Sequence, residues 1–336
     1  MARSAETAPP ERSSQRRYPD FFIVGHAKSG TTALYEMLRR HPGIFMPSAK
    51  EPQFFARNLP AADGEPPRGL FEQTGQETES LEDYLSLFSP ARADELVGEG
   101  STFYLFSEAA PSRIAEAQPQ ARIIAILREP ASFLRSLHLQ MIQNQVETER
   151  DLRRALALED ARRDGREIPR GAHWPRALMY TDRVRYVEQL RRYRAVFPAE
   201  QMLVLIYDDF LRDNKGTLRR VLRFLGVDDE HQLEPVSANP TVGVRSLRLA
   251  ATWRTLRTGR GPVPRAARRT IKTLTSSRLR REVLYPLRRR VVFAEAPPVD
   301  EELMAELRGR FKGEVIALGE YLGRDLVTLW GYDRVL

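Results

Sequence analysis

The chain has 336 residues, of which 42% are hydrophobic, so it is long enough to bury a full core in one large domain or at most two. It contains no cysteine, which excludes disulfides, thiolate zinc sites and cysteine nucleophiles, and its five histidines lie too far apart for a spaced metal motif, so we expect no metal. No apolar run approaches the roughly 20 residues of a membrane span, and residues 1–17 lack the apolar core of a secretory signal, so we expect a cytoplasmic protein.

The net charge of +8 is unevenly distributed along the chain. Residues 245–290 contain fifteen Arg and Lys residues and one acidic residue, Glu282. Such a segment is typical of proteins that bind an anionic glycan, a nucleic acid or an acidic membrane surface, and equally of solvated helix faces in an arginine-rich protein. It lacks the interleaved aromatic pattern that stacks on bases, so we expect no nucleic-acid partner, while a peripheral membrane contact stays open.

Short apolar runs alternate with helical patterns along the chain. The run FFIVG at 21–25 predicts a buried first strand, and TTALYEMLRRHP after it predicts a helix that ends before Pro42. Further strands are predicted at 95–100, 121–128 and 201–210, and each is followed by helical sequence. This alternation predicts an α/β fold with a parallel sheet.

Four segments lie outside that alternation. Residues 1–17 are rich in Ser, Pro, Arg and Glu and predict a disordered tail. The Gly- and Pro-rich stretch 57–79 and the arginine-rich stretch 147–167 predict insertions over the sheet edge rather than separate domains. Residues 299–323 predict C-terminal helices.

The segment GHAKSGTT, which follows the first strand, has the Gly-x4-Gly spacing of a phosphate-binding P-loop. Thr31 stands where a Walker loop has its lysine, and Lys28 lies three residues earlier, inside the loop. A turn between a strand and a helix presents backbone N–H groups and the positive helix end to an anion, so a phosphate is expected here. The alternative is a tight turn with incidental polar residues.

A second anion site is predicted at the end of the strand RIIAILR. Arg128 ends this strand, and Ser136 lies eight residues further on, in the next helix. Parallel sheets bind ligands at the carboxyl ends of their strands, and a guanidinium is well shaped to bind phosphate. The alternative is an ordinary surface salt bridge of Arg128 with Glu129 or another acidic residue. Two anion sites on one sheet edge indicate a ligand phosphorylated at two positions.

Several segments together resemble the sulfotransferases that use 3′-phosphoadenosine-5′-phosphosulfate (PAPS). They are GHAKSGTTAL, KEPQFF at 50–55, ILREPASFLRSLHLQ at 126–140, YVEQLRRYRAVFPAEQMLVLIYDDF at 186–210 and LGRDLVTLW at 322–330. The sequence around KEPQFF resembles the heparan-sulfate and bacterial carbohydrate types more than the cytosolic phenol and steroid type. The resemblance implies one P-loop-like, three-layer domain over residues 18–336, with a central parallel sheet flanked by helices.

The resemblance also implies which residues bind the nucleotide. Lys28 would stabilise the charge on the oxygen that leaves PAPS, and Arg128 with Ser136 would bind the 3′-phosphate. The residues that would hold the 5′-phosphate are Ser29, Gly30, Thr31 and Thr32. A late covering loop is matched only loosely by residues 237–246, which makes Arg245 and Ser246 candidates there.

The acceptor side has two candidate bases. Glu51 matches the glutamate that removes the acceptor proton in glycan-type members. The alternative is that Glu51 is a surface or N-cap carboxylate before Pro52. His138, on the same helix as Ser136, is the second candidate base and otherwise a packed histidine. Some glycan-type members carry a lysine where this chain has Gly100, so we expect no second catalytic lysine.

The sequence therefore predicts transfer of a sulfuryl group from PAPS, without magnesium, to a hydroxyl of a carbohydrate, glycolipid or natural-product acceptor. One alternative is a P-loop kinase that uses ATP, which the displaced Lys28 disfavours. Another is a nucleotide-binding protein that has lost activity, which the presence of both Lys28 and Glu51 disfavours.

Overall fold

The computed structural model describes residues 17–56, 80–172, 175–231, 242–244 and 293–335. The strands are β1 Phe21–Gly25, β2 Ile44–Phe45, β3 Leu96–Gly100, β4 Arg122–Leu127, β5 Met202–Ile206, β6 Val242–Val244 and β7 Phe293–Glu295. The α-helices up to α6 are α1 Thr31–Leu38, α2 Leu81–Ser86, α3 Ala110–Ala117, α4 Pro130–Gln143, α5 Leu152–Ala157 and α6 Glu159–Arg163. Those that follow are α7 Tyr186–Arg194, α8 Tyr207–Arg212, α9 Asn214–Leu225, α10 Glu301–Leu322 and α11 Leu326–Trp330.

The central sheet has five strands in the order β2-β3-β1-β4-β5, and all of its neighbouring strands are parallel. β1 lies between β3 and β4, so the chain leaves β1 on one side and later returns on the other. Ligands bind at such a switch point, beyond the carboxyl ends of the strands. This edge carries the loop after Gly25 and the residues that follow Gly100 and Leu127.

Helices cover both faces of the sheet because alternate strand residues point to opposite faces. Phe22 and Val24 pack on one face with the core that includes residues of α3, α4, α7 and α10. Phe21 and Ile23 pack on the other face with residues of α1 and α9. The predicted three-layer α/β architecture with a parallel sheet is confirmed.

The predicted strands at 21–25, 95–100 and 121–128 are confirmed to within one residue at each end. The predicted strand 201–210 is too long, because β5 ends at Ile206 and α8 follows at once. The first turn of α8 carries Asp208 and Asp209, and acidic side chains are stabilised at the positive end of a helix. The helical structure predicted at 299–323 is confirmed by α10.

The limits of the domain stay a prediction. Residues 1–16 and 57–79, and the whole of the basic segment 245–290, lie outside the described residues, whereas Arg17 donates hydrogen bonds to Asp20 and to the Glu95 carbonyl. Within the predicted insertion 147–167, Arg162 forms a buried ion pair with Glu147. Across the described part of the chain, no helix is both long and apolar enough to cross a membrane.

Candidate active site

The loop between β1 and α1 presents an uncapped helix start at the edge of the sheet. Gly30 precedes α1 with a φ of 84°, and no side chain caps the helix. A Cβ at this position would lie 2.9 Å from Cδ1 of Phe210, so both the backbone and the packing require glycine. Within the described part of the chain, the first N–H groups of α1 therefore lack a side-chain acceptor, an arrangement that favours an anion such as phosphate.

Two cations, Lys28 and Arg128, meet at this loop. A guanidinium N–H of Arg128 donates to the Lys28 carbonyl at 2.9 Å, and the guanidinium lies 4.9 Å from the ring centre of Tyr207. The pKa of Lys28 is lowered, first by burial and then by the positive charge of Arg128. Among the described residues, neither cation has a carboxylate within 4.0 Å. Like charges held together in this way favour an anionic ligand.

The other predicted nucleotide residues differ in their exposure. Ser29 and Thr31 are buried in the loop and the first turn of α1, whereas Thr32 is exposed and accepts a hydrogen bond from Lys50. Ser136 is buried on α4, the helix that follows Arg128. Arg245 and Ser246 lie outside the described residues, but β6, which ends just before them, lies against α4.

Glu51 is held at the same edge of the sheet by several donors. Its backbone has a left-handed φ of 65°, and its N–H donates to the Gly100 carbonyl at 3.0 Å. Its carboxylate accepts from the Thr102 N–H at 2.8 Å and from Nε2 of Gln53 at 2.9 Å. The side chain keeps 27% of its surface exposed. The carboxylate is thus fixed in orientation and still accessible, as a base that meets a substrate must be.

Lys50 links this carboxylate to the first turn of α1. Its Nζ lies 3.1 Å from Oε1 of Glu51 and 3.2 Å from Oγ1 of Thr32. Sequence reasoning missed this residue, although its position directly before Glu51 in KEPQFF is a signal that could have found it. Loop and carboxylate therefore belong to one site.

A second carboxylate, also missed from the sequence, lies behind Glu51. Glu99 in β3 is fully buried and accepts hydrogen bonds from the hydroxyls of Tyr84 at 3.0 Å and Tyr104 at 2.9 Å. The pKa of Glu99 is raised to about 7, mainly by burial and to a smaller extent by the negative charge of Glu51. Its burial and its tyrosine partners indicate a structural role beneath the site.

His138 lies in a buried network of α4. Its Nδ1 is 3.0 Å from the hydroxyl of Tyr180, which also donates to Glu147, and its Nε2 is 3.1 Å from the Arg150 carbonyl. Burial lowers the pKa of His138. Both ring nitrogens are therefore engaged within the protein, and only 2% of the residue is exposed. The geometry supports Glu51 over His138 as the group that meets the acceptor.

The residues described here contain no cluster of His, Asp and Glu side chains arranged to hold a metal ion. The site instead combines an uncapped helix start, two cations and an oriented carboxylate, which together can bind a phosphorylated donor and accept a proton from a second substrate.

The chain is similar to proteins that carry out sulfo transfer. Residues 19–231 match the model of the sulfotransferase family. The human bifunctional heparan sulfate N-deacetylase/N-sulfotransferase 3 is 32% identical over 218 residues, which cover 63% of this chain and 22% of that protein. The mouse heparan sulfate glucosamine 3-O-sulfotransferase 3B1 is 25% identical over 223 residues, which cover 65% of this chain and 50% of that protein. The chain thus spans half or less of the length of these two relatives.

A solved structure extends the similarity to nearly the whole chain. The crystal structure of a sulfotransferase from Alicyclobacillus acidocaldarius is 26% identical, with a TM-score of 0.64, and the match covers 94% of this chain and 99% of that one. The predicted likeness to the heparan-sulfate type is confirmed by the two curated relatives. Because the family model covers residues 19–231, and with them the loop between β1 and α1 and Glu51, the chain belongs to the sulfotransferase family.

Proposed function

We propose that the chain transfers the sulfuryl group of PAPS to a hydroxyl of a carbohydrate-containing or natural-product acceptor. One observation carries the proposal: Lys28 and Arg128 meet beside an uncapped helix start, and this anion site is joined through Lys50 to the oriented carboxylate of Glu51. Donor and base are thereby held side by side, as a direct transfer between two substrates requires.

On the donor side, Lys28 stabilises the negative charge that develops on the phosphate oxygen as the sulfuryl group leaves. The loop and first turn of α1 hold the 5′-phosphate through Ser29, Gly30, Thr31 and Thr32. Arg128 and Ser136 bind the 3′-phosphate, and this role for Arg128 is supported by the guanidinium N–H groups that remain after its bond to the Lys28 carbonyl. We retain Arg245 and Ser246 as candidates because β6 brings the chain to α4.

On the acceptor side, Glu51 takes the proton of the hydroxyl as its oxygen forms the new bond to sulfur. The bond between sulfur and the bridging phosphate oxygen breaks, and the electron pair stays on the nucleotide phosphate. Each donor that holds the Glu51 carboxylate limits its rotation, so the oxygen that faces the acceptor is presented in one direction.

The acceptor class is a proposal that rests on the relatives. Two of them are named for heparan sulfate, and one of these is a 3-O-sulfotransferase, which supports a glycan hydroxyl. The fifteen basic residues of 245–290 all lie outside the described residues, and we retain them as a candidate contact for an anionic acceptor or a peripheral membrane surface. The cytoplasmic location and the lack of a nucleic-acid partner stay predictions.

The test is transfer of a radiolabelled sulfo group from PAPS to a panel of glycan, glycolipid and natural-product hydroxyls, followed by mass spectrometry of the product. We expect Lys28→Ala to lower kcat severely, because the charge that it meets is largest in the transition state. We expect Glu51→Gln to lower kcat by about 10²–10⁴-fold with little change in affinity for the desulfated nucleotide, 3′-phosphoadenosine-5′-phosphate (PAP). Glu36→Gln is the matched control, because Glu36 is a partly exposed carboxylate of α1 that pairs with Arg39.

Two results would contradict the proposal. Transfer that requires ATP and magnesium, with no transfer from PAPS, would identify a kinase. Near-normal turnover of Glu51→Gln together with loss of activity in His138→Ala would keep the reaction and move the base to α4.

A further inference from the structure

We infer that Lys50 is a second catalytic lysine, whose ammonium holds the oxygens of the sulfuryl group while that group passes from the nucleotide to the acceptor. The inference rests on the proposed function. It also replaces the expectation that this chain, with Gly100 in β3, lacks a second lysine at the site.

The position of the ammonium supports this role. Thr32 lies in the first turn of α1, on the donor side, and Glu51 lies on the acceptor side. Nζ of Lys50 is within 3.2 Å of a side-chain oxygen of each. In a direct transfer the sulfuryl group lies between the donor phosphate and the acceptor hydroxyl, so a cation that touches both binding sides lies beside its path.

The charge of Lys50 is available when it is needed. An ammonium has three N–H donors, and two of them contact Thr32 and Glu51 in the described part of the chain. When Glu51 takes the acceptor proton it becomes neutral, so Lys50 loses its anionic partner at the moment when the sulfuryl oxygens need a positive charge. Only 19% of the Lys50 side chain is exposed, which limits screening by water.

The packing around Gly100 makes room for this lysine. A Cβ at Gly100 would lie 2.8 Å from the ring of Tyr35 and 3.7 Å from Cε of Lys50. Tyr35 is fixed by a 2.5 Å hydrogen bond from its hydroxyl to the Pro47 carbonyl, and Nζ of Lys50 lies 5.9 Å from its ring centre. Glycine at 100 therefore leaves the space beside the ring to the Lys50 side chain, which is directed from there to the loop.

Each bond in the step is accounted for. The acceptor oxygen forms a bond to sulfur, its proton goes to Glu51, and the bond from sulfur to the bridging phosphate oxygen breaks. Lys28 meets the oxygen that leaves, and Lys50 meets the oxygens that travel with sulfur. Lys50 exchanges no proton, and its ammonium is unchanged at the end.

The first experiment compares Lys50→Met, which keeps the length of the side chain without its charge, with wild type and with Lys50→Arg. Lys215→Met, an exposed lysine on α9, is the matched control. We expect Lys50→Met to lower kcat by about 10²-fold, the usual effect of losing one donor to a developing oxyanion, while acceptor KM changes less than about threefold and PAP affinity less than about twofold. Lys50→Arg should recover part of kcat. An unchanged kcat in Lys50→Met, or a loss of PAP affinity as large as the loss of kcat, would overturn the inference.

A double-mutant cycle separates direct contact with the sulfuryl group from positioning of Glu51. If Lys50 only orients Glu51, Lys50→Met has no further effect in a Glu51→Gln background. We expect a further loss of about tenfold or more, because Lys50 still meets the sulfuryl oxygens there. No further loss would overturn the direct contact.

Binding provides a readout that is independent of the acceptor. By calorimetry, Lys50→Met should bind PAPS at least about threefold more weakly than wild type, while its affinity for PAP stays within about twofold, because only PAPS carries the sulfo group. Equal effects on both nucleotides would overturn the inference. A wild-type protein that binds neither PAPS nor PAP would instead refute the proposed function, so the two failures are distinguishable.

Discussion

Arg128 provides a direct test of the proposal that the site distinguishes PAP from AMP, which lacks the 3′-phosphate. Its guanidinium bonds the Lys28 carbonyl at 2.9 Å and lies over the ring of Tyr207, so it is fixed in place before any ligand arrives. One of its five N–H groups is used by that carbonyl, and the others can reach a phosphate in a fork. Arg128→Ala removes these donors together with the charge.

The size of the effect follows from the environment of the guanidinium. A hydrogen bond to a charged group is worth about 1.5–3 kcal/mol, which corresponds to roughly 10- to 150-fold in affinity. Arg128 is only half-buried, and its removal also relieves the repulsion that lowers the pKa of Lys28. Both facts place the expected loss of PAP affinity toward the lower end of that range, while AMP affinity should change about threefold or less.

The assay is calorimetry with PAP and with AMP on wild type, Arg128→Ala and Arg128→Lys. Arg128→Lys keeps the charge and loses the fork and the contact with Tyr207, so its affinity for PAP should be intermediate. Arg219→Ala, on the exposed face of α9, is the control. Equal affinity of wild type for PAP and AMP would refute the assignment, as would an equal loss of both ligands in Arg128→Ala, which would show that Arg128 only supports the loop.

Three further predictions concern stability. Burial holds the pKa of His26 at about 3, so below about pH 6.5 the unfolded chain binds a proton that the folded chain does not. Stability should fall by about 2 kcal/mol between about pH 7 and 5, and the urea midpoint of His26→Gln should fall less. Glu99, with its pKa raised to about 7, has the opposite sign: the folded carboxyl keeps a proton that the unfolded one loses above about pH 4.5. The free energy of unfolding of Glu99→Gln should exceed that of wild type by about 3 kcal/mol at about pH 8 and match it near pH 4. An equal difference at the two pH values would contradict this. In chemical denaturation, Gly30→Ala should lower the free energy of unfolding by about 1–3 kcal/mol more than Gly165→Ala does. Both glycines have a positive φ, but a Cβ at Gly30 would meet Phe210, whereas a Cβ at Gly165 would have nothing within 4 Å. Equal losses in the two variants would contradict the clash.

The parts of the site that follow regular elements could be predicted from the sequence. Apolar runs mark β1 and β4, and the carboxyl ends of parallel strands meet at one edge of a sheet. For that reason Lys28 and Arg128, which are one hundred residues apart, could be expected to lie together, and the structure shows them in contact. The strand predicted at 201–210 was too long because apolarity alone does not mark where β5 ends and α8 begins.

The acceptor side could not be derived in the same way because it lies in irregular backbone. Glu51 and Gln53 both have left-handed φ angles, 65° and 59°, which a sequence pattern does not predict. This conformation is held by groups about fifty residues away, such as the Thr102 N–H on Glu51 and the Ser101 hydroxyl that accepts from Gln53 N–H. Glu51 was therefore reached through family resemblance, and Lys50, which depends on the same turn, was missed.

The C-terminal segment LGRDLVTLW also supports the candidate site, although it lies far from that site in sequence. Arg324 binds both carboxylate oxygens of Asp209, and Nε1 of Trp330 donates to Asp208 at 2.9 Å. Both acids lie in the first turn of α8, the helix that begins with Tyr207. Because Tyr207 lies under the Arg128 guanidinium and α8 also packs against Gly30, the contacts of the C-terminal segment hold the helix on which Arg128 and Gly30 rest. These contacts give the resemblance of this segment to the family a physical basis, because they hold α8 in position.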